Sequence, residues 1–289
     1  MYGWIIVNSF VESAKFRELY SLLLEAAEKR GIALELKKGH DIISAIGDGF
    51  EPLPDFAIFW DKDVYLAELL EESGVRLFNT SRAIDLCDNK AKTYMELVKG
   101  GVAVPDTVIA PKTFEGLGYT DMTFLDKAIE RLGLPVIIKE AYGSFGQQVY
   151  LAQSRDDAVN IIKGIGHKDF VMQKFISESE GRDLRINVVG GKVIATMYRY
   201  NDNDFRSNIS NGGSMKAYEP TSEQKEIAIK AAEVLGLDFA GVDLMFGEKG
   251  KPIVCEVNSN PHFKSTFECT GVNMAEHIIE YIDCTLCAK

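Results

Sequence analysis

The segments FAGVDLMF (residues 239–246) and PIVCEVNSNP (residues 252–261) decide which fold and chemistry to expect of this chain. Each is an apolar run of strand length that carries oxygen-bearing side chains within it. Asp243 lies in the first run. Glu256 and Asn258 lie two residues apart in the second, so both point to one face of a strand. Two such strands predict a polar cleft beside an otherwise apolar sheet.

These three side chains predict a metal site. Mg²⁺ prefers oxygen ligands that are completed by phosphate and water, and Asp243, Glu256 and Asn258 supply such ligands. Strand alternation turns Cys255 and Val257 to the opposite face. The alternative is a polar outer face on two edge strands. However, a carboxylate among Val and Leu is costly to bury without a partner, which favours the metal site.

A lysine that ends the apolar run PVIIKE predicts a phosphate contact. Lys139 is followed by a short loop that contains Gly143, Ser144, Phe145 and Gly146. Glycines let backbone N–H groups approach phosphate oxygens, and lysine adds a positive charge. The loop lacks the G-K-[ST] of a Walker motif. A plain hairpin loop between VIIKE and QQVYLA remains open, and one loop could serve both purposes.

Two further polar clusters are candidates for the same cleft. In DFRSN, Arg206 and Asn208 share strand parity, and an arginine fork suits a phosphoryl group. Near Arg182, the residues Asp183 and Arg185 share one face of a strand. The alternatives are a solvated charged loop for the first cluster and an exposed strand for the second.

The first 80 residues alternate strand and helix signals. The apolar runs WIIVN, ALEL, DFAIFW and VRLFN predict strands, and residues 12–30 have the periodicity of an amphipathic helix that ends at Gly31. This βαβ order predicts a small parallel sheet with helices on its faces.

The pattern changes after that point. Residues 81–87 and 89–99 predict two helices, and GGVAVPDT predicts a hinge or loop. Several strands then follow one another, which indicates antiparallel sheet. Helices are expected at residues 223–235 and 273–282. The chain is therefore expected to be α/β at the start and α+β afterwards.

Composition limits the possible partners. A net charge of −11 over 289 residues disfavours unspecific binding to nucleic acid or to an anionic membrane, and no apolar run is long enough for a bilayer span. The segment WIIVN lacks the basic leader and cleavage site of a signal peptide. Five cysteines do not make a disulfide scaffold. Cys284 and Cys287 form a lone C-x-x-C, which is interpreted as two reduced thiols rather than a metal or redox site. A cytoplasmic location is expected.

In order and spacing, these motifs resemble the ATP-grasp superfamily, in particular RimK-type carboxylate–amine ligases. The resemblance covers residues 88–282 through DNKAKT, PVIIKEAYGSFG, VMQKFI, GRDLRINVVG, NDFRSNISNGG, AIKAAEVLGLDFAGVD and CEVNSNP. It implies an ATP-grasp fold with an N-terminal βαβ domain at residues 1–88. A central lobe at residues 89–180 and a C-terminal lobe at residues 181–289 would follow.

The resemblance also implies roles for individual positions. The ATP phosphates would contact Lys90, Lys139 and the loop residues Gly143, Ser144, Phe145 and Gly146. Adenine would be bound by backbone groups of a hinge formed by Gln173, Lys174, Phe175 and Ile176. Asp183 would hold the ribose. Arg206 and Asn208 would meet the terminal phosphate and the reacting carboxylate, forming with Lys139 the catalytic set.

On the same basis, Asp243, Glu256 and Asn258 would hold Mg²⁺, with Mn²⁺ as an alternative ion. Arg185 would anchor a substrate carboxylate, and the turn at Asn260 would border the acceptor site. Three departures concern Lys174, Gln148 and His262, where relatives often carry an acidic residue, a glycine and a small residue.

The activity implied is ATP-dependent formation of an amide through an acyl phosphate. An amino acid such as glutamate would be joined to a small molecule, peptide or protein. A D-alanine-type dipeptide ligase and a catalytically silent ATP-binding module are the alternatives. Relatives often form dimers or tetramers, so a homo-oligomer is expected on that ground alone.

Overall fold

The computed structural model describes residues 1–42, 52–143 and 146–287. Its N-terminal part is a parallel sheet of four strands, and the order across the sheet is second, first, third, fourth. The strands are β1 (Tyr2–Val7), β2 (Ala33–Lys38), β3 (Phe56–Trp60) and β4 (Arg76–Phe78). The helices are α1 (Ala14–Lys29), α2 (Val64–Glu72) and α3 (Ser81–Asp88). The predicted βαβ arrangement is confirmed.

The second sheet is antiparallel and follows α4 (Lys90–Lys99). Its strands are β5 (Thr107–Ile109), β6 (Val136–Glu140), β7 (Val149–Ala152) and β8 (Phe170–Lys174), in the order β5-β8-β6-β7. Helices α5 (Thr123–Leu132) and α6 (Arg155–Ile165) cover it. The hairpin between β6 and β7 was predicted, but α5 and α6 were not.

The third sheet has the order β11-β10-β9-β12-β13 and is antiparallel. Its strands are β9 (Arg182–Val189), β10 (Lys192–Tyr200), β11 (Ser214–Ala217), β12 (Phe239–Phe246) and β13 (Pro252–Asn258). The helices are α7 (Ser222–Leu235), α8 (Lys264–Thr270) and α9 (Met274–Cys287). The α+β expectation is confirmed, and α9 continues beyond its predicted end to include Cys284 and Cys287.

One expectation about strands is wrong, and two of the alternatives are excluded. Residues 201–208 form a loop, so strand alternation does not place Arg206 and Asn208 on one face. Strand β9 lies between β10 and β12, so the cluster at Asp183 is not on an exposed strand. Asp243 is 3% exposed, which rules out a polar outer face at that position.

The hydrophobic core does not follow the predicted domain limits. One buried cluster combines Ile5, Phe56 and Phe78 of the first sheet with Phe239 of β12 and Ile278 of α9. The limits after residues 88 and 180 stay predictions. Across the part of the chain described here, no helix has the length and apolar character that a bilayer span requires.

Candidate active site

A cleft lies between the second and third sheets and encloses about 900 Å³, part of it open to solvent. Its wall contains most of the residues predicted for the site. These are Lys90, Lys139, Gly143, Gly146, Gln173, Lys174, Phe175, Ile176, Asp183, Arg206, Asn208, Asp243 and Glu256. Ser144 and Phe145 lie outside the described residues.

Two buried lysines face this cleft from different elements. Asn89 caps α4 by accepting a hydrogen bond from the Lys92 backbone, which places Lys90 in the first turn. The Lys90 Nζ donates to the Gly143 carbonyl at 3.1 Å and lies 3.8 Å from Glu256. Burial lowers the pKa of Lys90, and the positive charge of Lys139 acts in the same direction. An anion between the two ammonium groups would relieve this repulsion.

Lys139 is the fourth residue of β6 and is 7% exposed. Its Nζ donates to the Tyr94 hydroxyl at 3.3 Å and lies 3.7 Å from the Cys255 Sγ. The Tyr94 hydroxyl in turn donates to the Cys255 carbonyl at 2.7 Å. These neighbours are neutral or weakly polar, so the charge of Lys139 is not cancelled by a close carboxylate.

Asp183 and Asp243 are bound by arginines. The Arg199 Nε donates to the Asp183 Oδ1 at 2.8 Å, and its second nitrogen approaches the Asp243 Oδ2 at 3.0 Å. Arg185 binds Asp243 through two nitrogens, one of them 2.8 Å from Oδ2. Asp243 is fully buried, yet these two guanidinium groups hold the pKa of its carboxyl below the ordinary value. The partner that a buried Asp243 was expected to have is therefore arginine.

A β-bulge changes the side chains that β13 offers to the cleft. Asp243 pairs with Glu256, but Leu244 pairs with Val254, so Cys255 is the additional residue. The bulge brings Cys255 and Glu256 into the cleft wall together. The expectation that Cys255 faces away is wrong, because strand alternation fails at a bulge. The Glu256 side chain is 34% exposed and therefore accessible to a ligand.

Three predicted residues, Arg185, Asn258 and Asn260, lie outside this wall. Arg185 reaches it only through Asp243. The Asn258 amide donates to the Gly241 carbonyl at 3.3 Å. The Asn260 amide donates to the Asp61 carbonyl at 2.9 Å, at the end of β3. Asn260 therefore contacts the residue that directly follows β3 of the first sheet.

Two loops meet at the mouth of the cleft. Arg206 donates to the Gly146 carbonyl at 2.7 Å and also binds the Asp204 carboxylate. Gly146 has a φ of +69°, and a Cβ at that position would lie 2.8 Å from the Asn208 Oδ1. Only glycine combines that backbone conformation with so close an approach. The contacts between the two loops thus hold both in place, although neither loop forms a strand.

The hinge residues form the opposite wall. The Gln173 side chain is 2% exposed, and its amide donates to the Thr107 hydroxyl at 2.8 Å. Its polar atoms are therefore engaged within the protein. Phe175 and Ile176 lie beside Ile137 and Met245 in the cleft wall. Apolar lining of this kind suits an aromatic base.

Arg199 and Tyr94 belong to the site but were missed by sequence reasoning. Arg199 is 5% exposed and faces Asp183 directly across the β9–β10 pair. A lone arginine in the strand KVIATMYRY, next to the Asp183 strand, was the available signal. Tyr94 lies on α4 one turn after Lys90, and nothing in its local sequence separates it from a core tyrosine.

A family model described as the RimK-like ATP-grasp domain matches residues 87–282. Human N-acetylaspartylglutamate synthase A is 34% identical over 231 residues, which make up 79% of this chain and 58% of that protein. A probable alpha-L-glutamate ligase of Maridesulfovibrio salexigens is 36% identical over 218 residues, which make up 74% of this chain and 69% of that protein. The chain thus spans less than two thirds of the human relative's length.

Among solved structures, the ATP-grasp ligase PsnB, complexed with a phosphomimetic variant of its minimal precursor, Mg and ADP, resembles this chain with a TM-score of 0.70. The alignment covers 98% of both chains at 16% identity, which shows a shared fold.

Proposed function

This chain belongs to the RimK-like ATP-grasp family, and we propose that it is an ATP-dependent ligase that joins a carboxylate to an amine. In the first step the carboxylate oxygen attacks the γ-phosphorus of ATP, and the bond from that phosphorus to ADP breaks. In the second step the amine nitrogen attacks the acyl phosphate, and inorganic phosphate leaves. No protein nucleophile is needed, so the residues act by positioning and by charge stabilisation.

One observation carries this proposal. In a chain of net charge −11, the cationic residues Lys90, Lys139, Arg199 and Arg206 line one cleft. Asp183 and Asp243 offset part of that charge, yet both are already bound by arginines. A local positive field in an acidic protein favours an anion of high charge, such as a triphosphate.

The roles assigned to single residues follow their position. Lys90 and Lys139 would bind ATP phosphates, because both are buried, the contact of Lys90 with Glu256 is long at 3.8 Å, and the close neighbours of Lys139 are Tyr94 and Cys255. Arg206 would stabilise the phosphoryl group as it is transferred. Asn208 lies against Gly146 and would place the reacting carboxylate. Asp183 would bind the ribose with the lone pairs that Arg199 leaves unused.

The donor chemistry of Asp243, Glu256 and Asn258 fits Mg²⁺, and the same oxygens accept Mn²⁺. Glu256 is the accessible ligand, while Asp243 would share its oxygens with Arg185 and Arg199. Among the described residues, no group of three acidic, histidine or cysteine side chains surrounds a metal position. Phosphate oxygens must therefore complete the site. When bound, the ion would neutralise charge on the phosphates.

The substrates proposed are glutamate, as the amine, and a small polar acid or a peptide carboxylate. Glutamate appears in the names of both relatives, and the name N-acetylaspartylglutamate implies N-acetylaspartate as the acid. PsnB was solved with a precursor peptide variant, so a peptide remains in the proposal.

The test supplies ATP and Mg²⁺ with a panel of acids, including N-acetylaspartate, citrate and peptides, and with each amino acid as amine. ADP release and product mass are recorded. We expect ADP release that requires both an acid and an amine, and a product heavier than the acid by one amino-acid residue. ADP release that requires neither substrate would contradict ligation.

Two alternatives have distinct outcomes in the same screen. A D-alanine-type ligase forms a dipeptide from D-alanine alone. A silent ATP-binding module binds ATP and releases no ADP with any pair of substrates. The presence of Lys139, Arg206 and Glu256 in one cleft disfavours the silent module.

The proposed use of ATP is also the reason to propose a cytoplasmic location, and fractionation tests it. A homo-oligomer is proposed only because relatives often form dimers or tetramers. Light scattering coupled to size-exclusion chromatography measures the number of chains in the particle.

A further inference from the structure

The turn that follows β13 carries two buried acceptor atoms that have no hydrogen-bond partner among the described residues. They are the Asn260 Oδ1 and the His262 Nε2. A buried polar atom without a partner costs free energy, so each such atom in a native protein needs an explanation. Here the two atoms belong to side chains two residues apart on the same turn.

The protonation state of His262 follows from its contacts. Its ring forms a hydrogen bond with the Lys15 backbone that raises the pKa, as a carbonyl acceptor does. Because Nε2 has no partner, the donor is Nδ1. The neutral ring then carries its proton on Nδ1 and its lone pair on Nε2. Nε2 can thus accept a hydrogen bond from an N–H or O–H donor.

The orientation of Asn260 is fixed in a similar way. Its Nδ2 donates to the Asp61 carbonyl at 2.9 Å, which leaves Oδ1 as the acceptor without a partner among the described residues. Asp61 directly follows β3, at the carboxyl edge of the first sheet. Ligands of parallel sheets commonly bind at this edge.

The same turn is connected to the cleft by one side chain. A Cβ on Gly241 would lie 2.7 Å from Pro261 and 3.2 Å from the Cδ of Arg185, so the turn packs against that arginine. Arg185 binds Asp243 in the cleft wall. The turn that carries the two unpartnered acceptors therefore packs beside an arginine that is bound to the cleft wall.

We propose that Asn260 and His262 bind the amine substrate, and that the His262 Nε2 takes the proton which the amine must lose before it attacks the acyl phosphate. An amine presents N–H donors to two acceptors, whereas a carboxylate would present only further acceptors. This inference rests on the proposed ligase function.

The proton balance is complete without another reactant. The ammonium form of the amine passes one proton to Nε2, and its freed electron pair forms the C–N bond. The C–O bond to the phosphate breaks, and its electrons stay on the phosphate oxygen. The second proton of the nitrogen goes to that phosphate. The proton on His262 returns to solvent after the product leaves.

The charges around His262 keep it neutral. Lys15 of α1 and Arg185 of β9 lower its pKa, and Glu268 of α8 opposes them. Burial is the largest cause and lowers the pKa as well, while Phe16 packs edge-on against the ring at 5.6 Å. A neutral imidazole at neutral pH is the form that accepts a proton.

The experiment compares two amines on one acyl phosphate. The panel of N-acetylaspartate, citrate and peptides is first supplied with ATP, Mg²⁺ and hydroxylamine. The acid that gives the most hydroxamate is then used for both amines. Hydroxylamine is largely neutral at pH 7 and needs no base, whereas L-glutamate arrives as an ammonium. Rates with both amines are measured for wild type, His262→Gln, His262→Asn and the control His167→Gln, which changes an exposed histidine.

For His262→Gln we expect amide formation with glutamate to fall by about 100-fold at pH 7, the lower range for a general base. Hydroxamate formation should stay within about twofold, since it depends on nucleotide and acid but not on the base. His262→Asn should show the same two effects as His262→Gln, and His167→Gln should resemble wild type. Without His262 only the free amine can attack, so in both variants the glutamate rate should rise by about tenfold per pH unit near neutral pH, whereas in wild type it should level off once His262 is neutral.

Three results would overturn the proposal. They are an equal loss of both products in both His262 variants, a glutamate rate in those variants within about threefold of wild type, and a pH profile of the glutamate rate that is the same in wild type and in both variants. A wild-type protein that makes neither product from any acid instead refutes the ligase function, and the role of His262 falls with it.

Discussion

At the scale of single residues, two carboxylates of paired strands differ in what surrounds them. Asp243 is 3% exposed and bound by two arginines, while its cross-strand partner Glu256 is about a third exposed and lies 3.8 Å from Lys90. Removing the charge of Asp243 would leave the guanidinium group of Arg185 without its carboxylate partner, although Arg199 would keep Asp183. Glu256 can lose its charge at little cost, so it is the carboxylate at which function can be tested separately from folding.

Glu256→Gln should stop ADP formation while the protein stays folded. The amide keeps the shape but lacks the charge that Mg²⁺ and the phosphates require. The loss of stability should be about 1 kcal/mol or less, since the contact with Lys90 is long and partly solvated. Melting temperature and ADP release are measured on one sample, with the exposed Glu115→Gln as control. Turnover at the wild-type rate would remove Glu256 from the metal site.

Lys139→Met should weaken ATP binding by about tenfold to 100-fold, the range for one charge-assisted hydrogen bond. Methionine keeps the unbranched stem in a site that is 7% exposed, so the fold should persist. It also removes a positive charge that repels Lys90. Calorimetry with a non-hydrolysable ATP analogue measures the change, and Lys127→Met at an exposed site is the control. Equal affinity in the two variants would exclude Lys139 from the phosphate site.

At the scale of elements, alternation and spacing predicted the parallel first sheet, the antiparallel sheets and helices α4 and α7. They failed where hydrogen bonds depend on distant partners. The bulge at Cys255 is set by pairing with β12, and the loop at residues 201–208 is held by Arg206 on Gly146. Neither partner is visible in the local sequence. Most of the predicted residues nevertheless line one cleft, because the motif order on which the resemblance rests does not depend on strand parity.

The bulge at Cys255 leads to a prediction about labelling. Iodoacetamide should modify Cys255 more slowly when ATP and Mg²⁺ are present, because the thiol lies in the cleft wall. Burial raises the pKa of this thiol, so labelling should be slow at neutral pH and faster as pH rises. The exposed Cys284 and Cys287 serve as internal controls in the same mass spectra. If ATP changes all three rates equally, or none, Cys255 does not line the nucleotide site.

The contact between the two loops gives another prediction. Gly146→Ala should weaken ATP binding, because the new Cβ would displace Asn208 from a distance of 2.8 Å. Gly118→Ala is the matched control. It also has a positive φ, but its Cβ would meet nothing within 4 Å. Both changes cost about 1 to 2 kcal/mol in backbone strain. Only Gly146→Ala should affect nucleotide affinity, and a similar loss in the control would trace the effect to stability.

At the scale of the whole molecule, the first sheet is held to the third by a buried polar junction. The Asn79 side chain is fully buried and follows β4. Its amide donates to the carbonyls of Phe239 and Ser259, both at 2.9 Å. Its Oδ1 accepts from the backbones of Asp238 and Phe239 at 2.6 and 3.2 Å. One side chain therefore satisfies four backbone groups of β12 and of the turn before Asn260.

Because of this junction, residues 1–88 should not unfold as a separate unit. Asn79→Ala removes all four hydrogen bonds and leaves buried backbone groups without partners, each worth about 1 to 3 kcal/mol. We expect the free energy of unfolding to fall by at least about 3 kcal/mol, with the whole chain still unfolding in one transition. Denaturant titration followed by circular dichroism and by tryptophan fluorescence measures this, since Trp4 and Trp60 both lie in the first sheet. Asn203→Ala, at an exposed loop position, should change little. Two separate transitions in the variant would mean that the first sheet folds independently. The predicted limit after residue 88 would then be a true domain boundary despite the shared core.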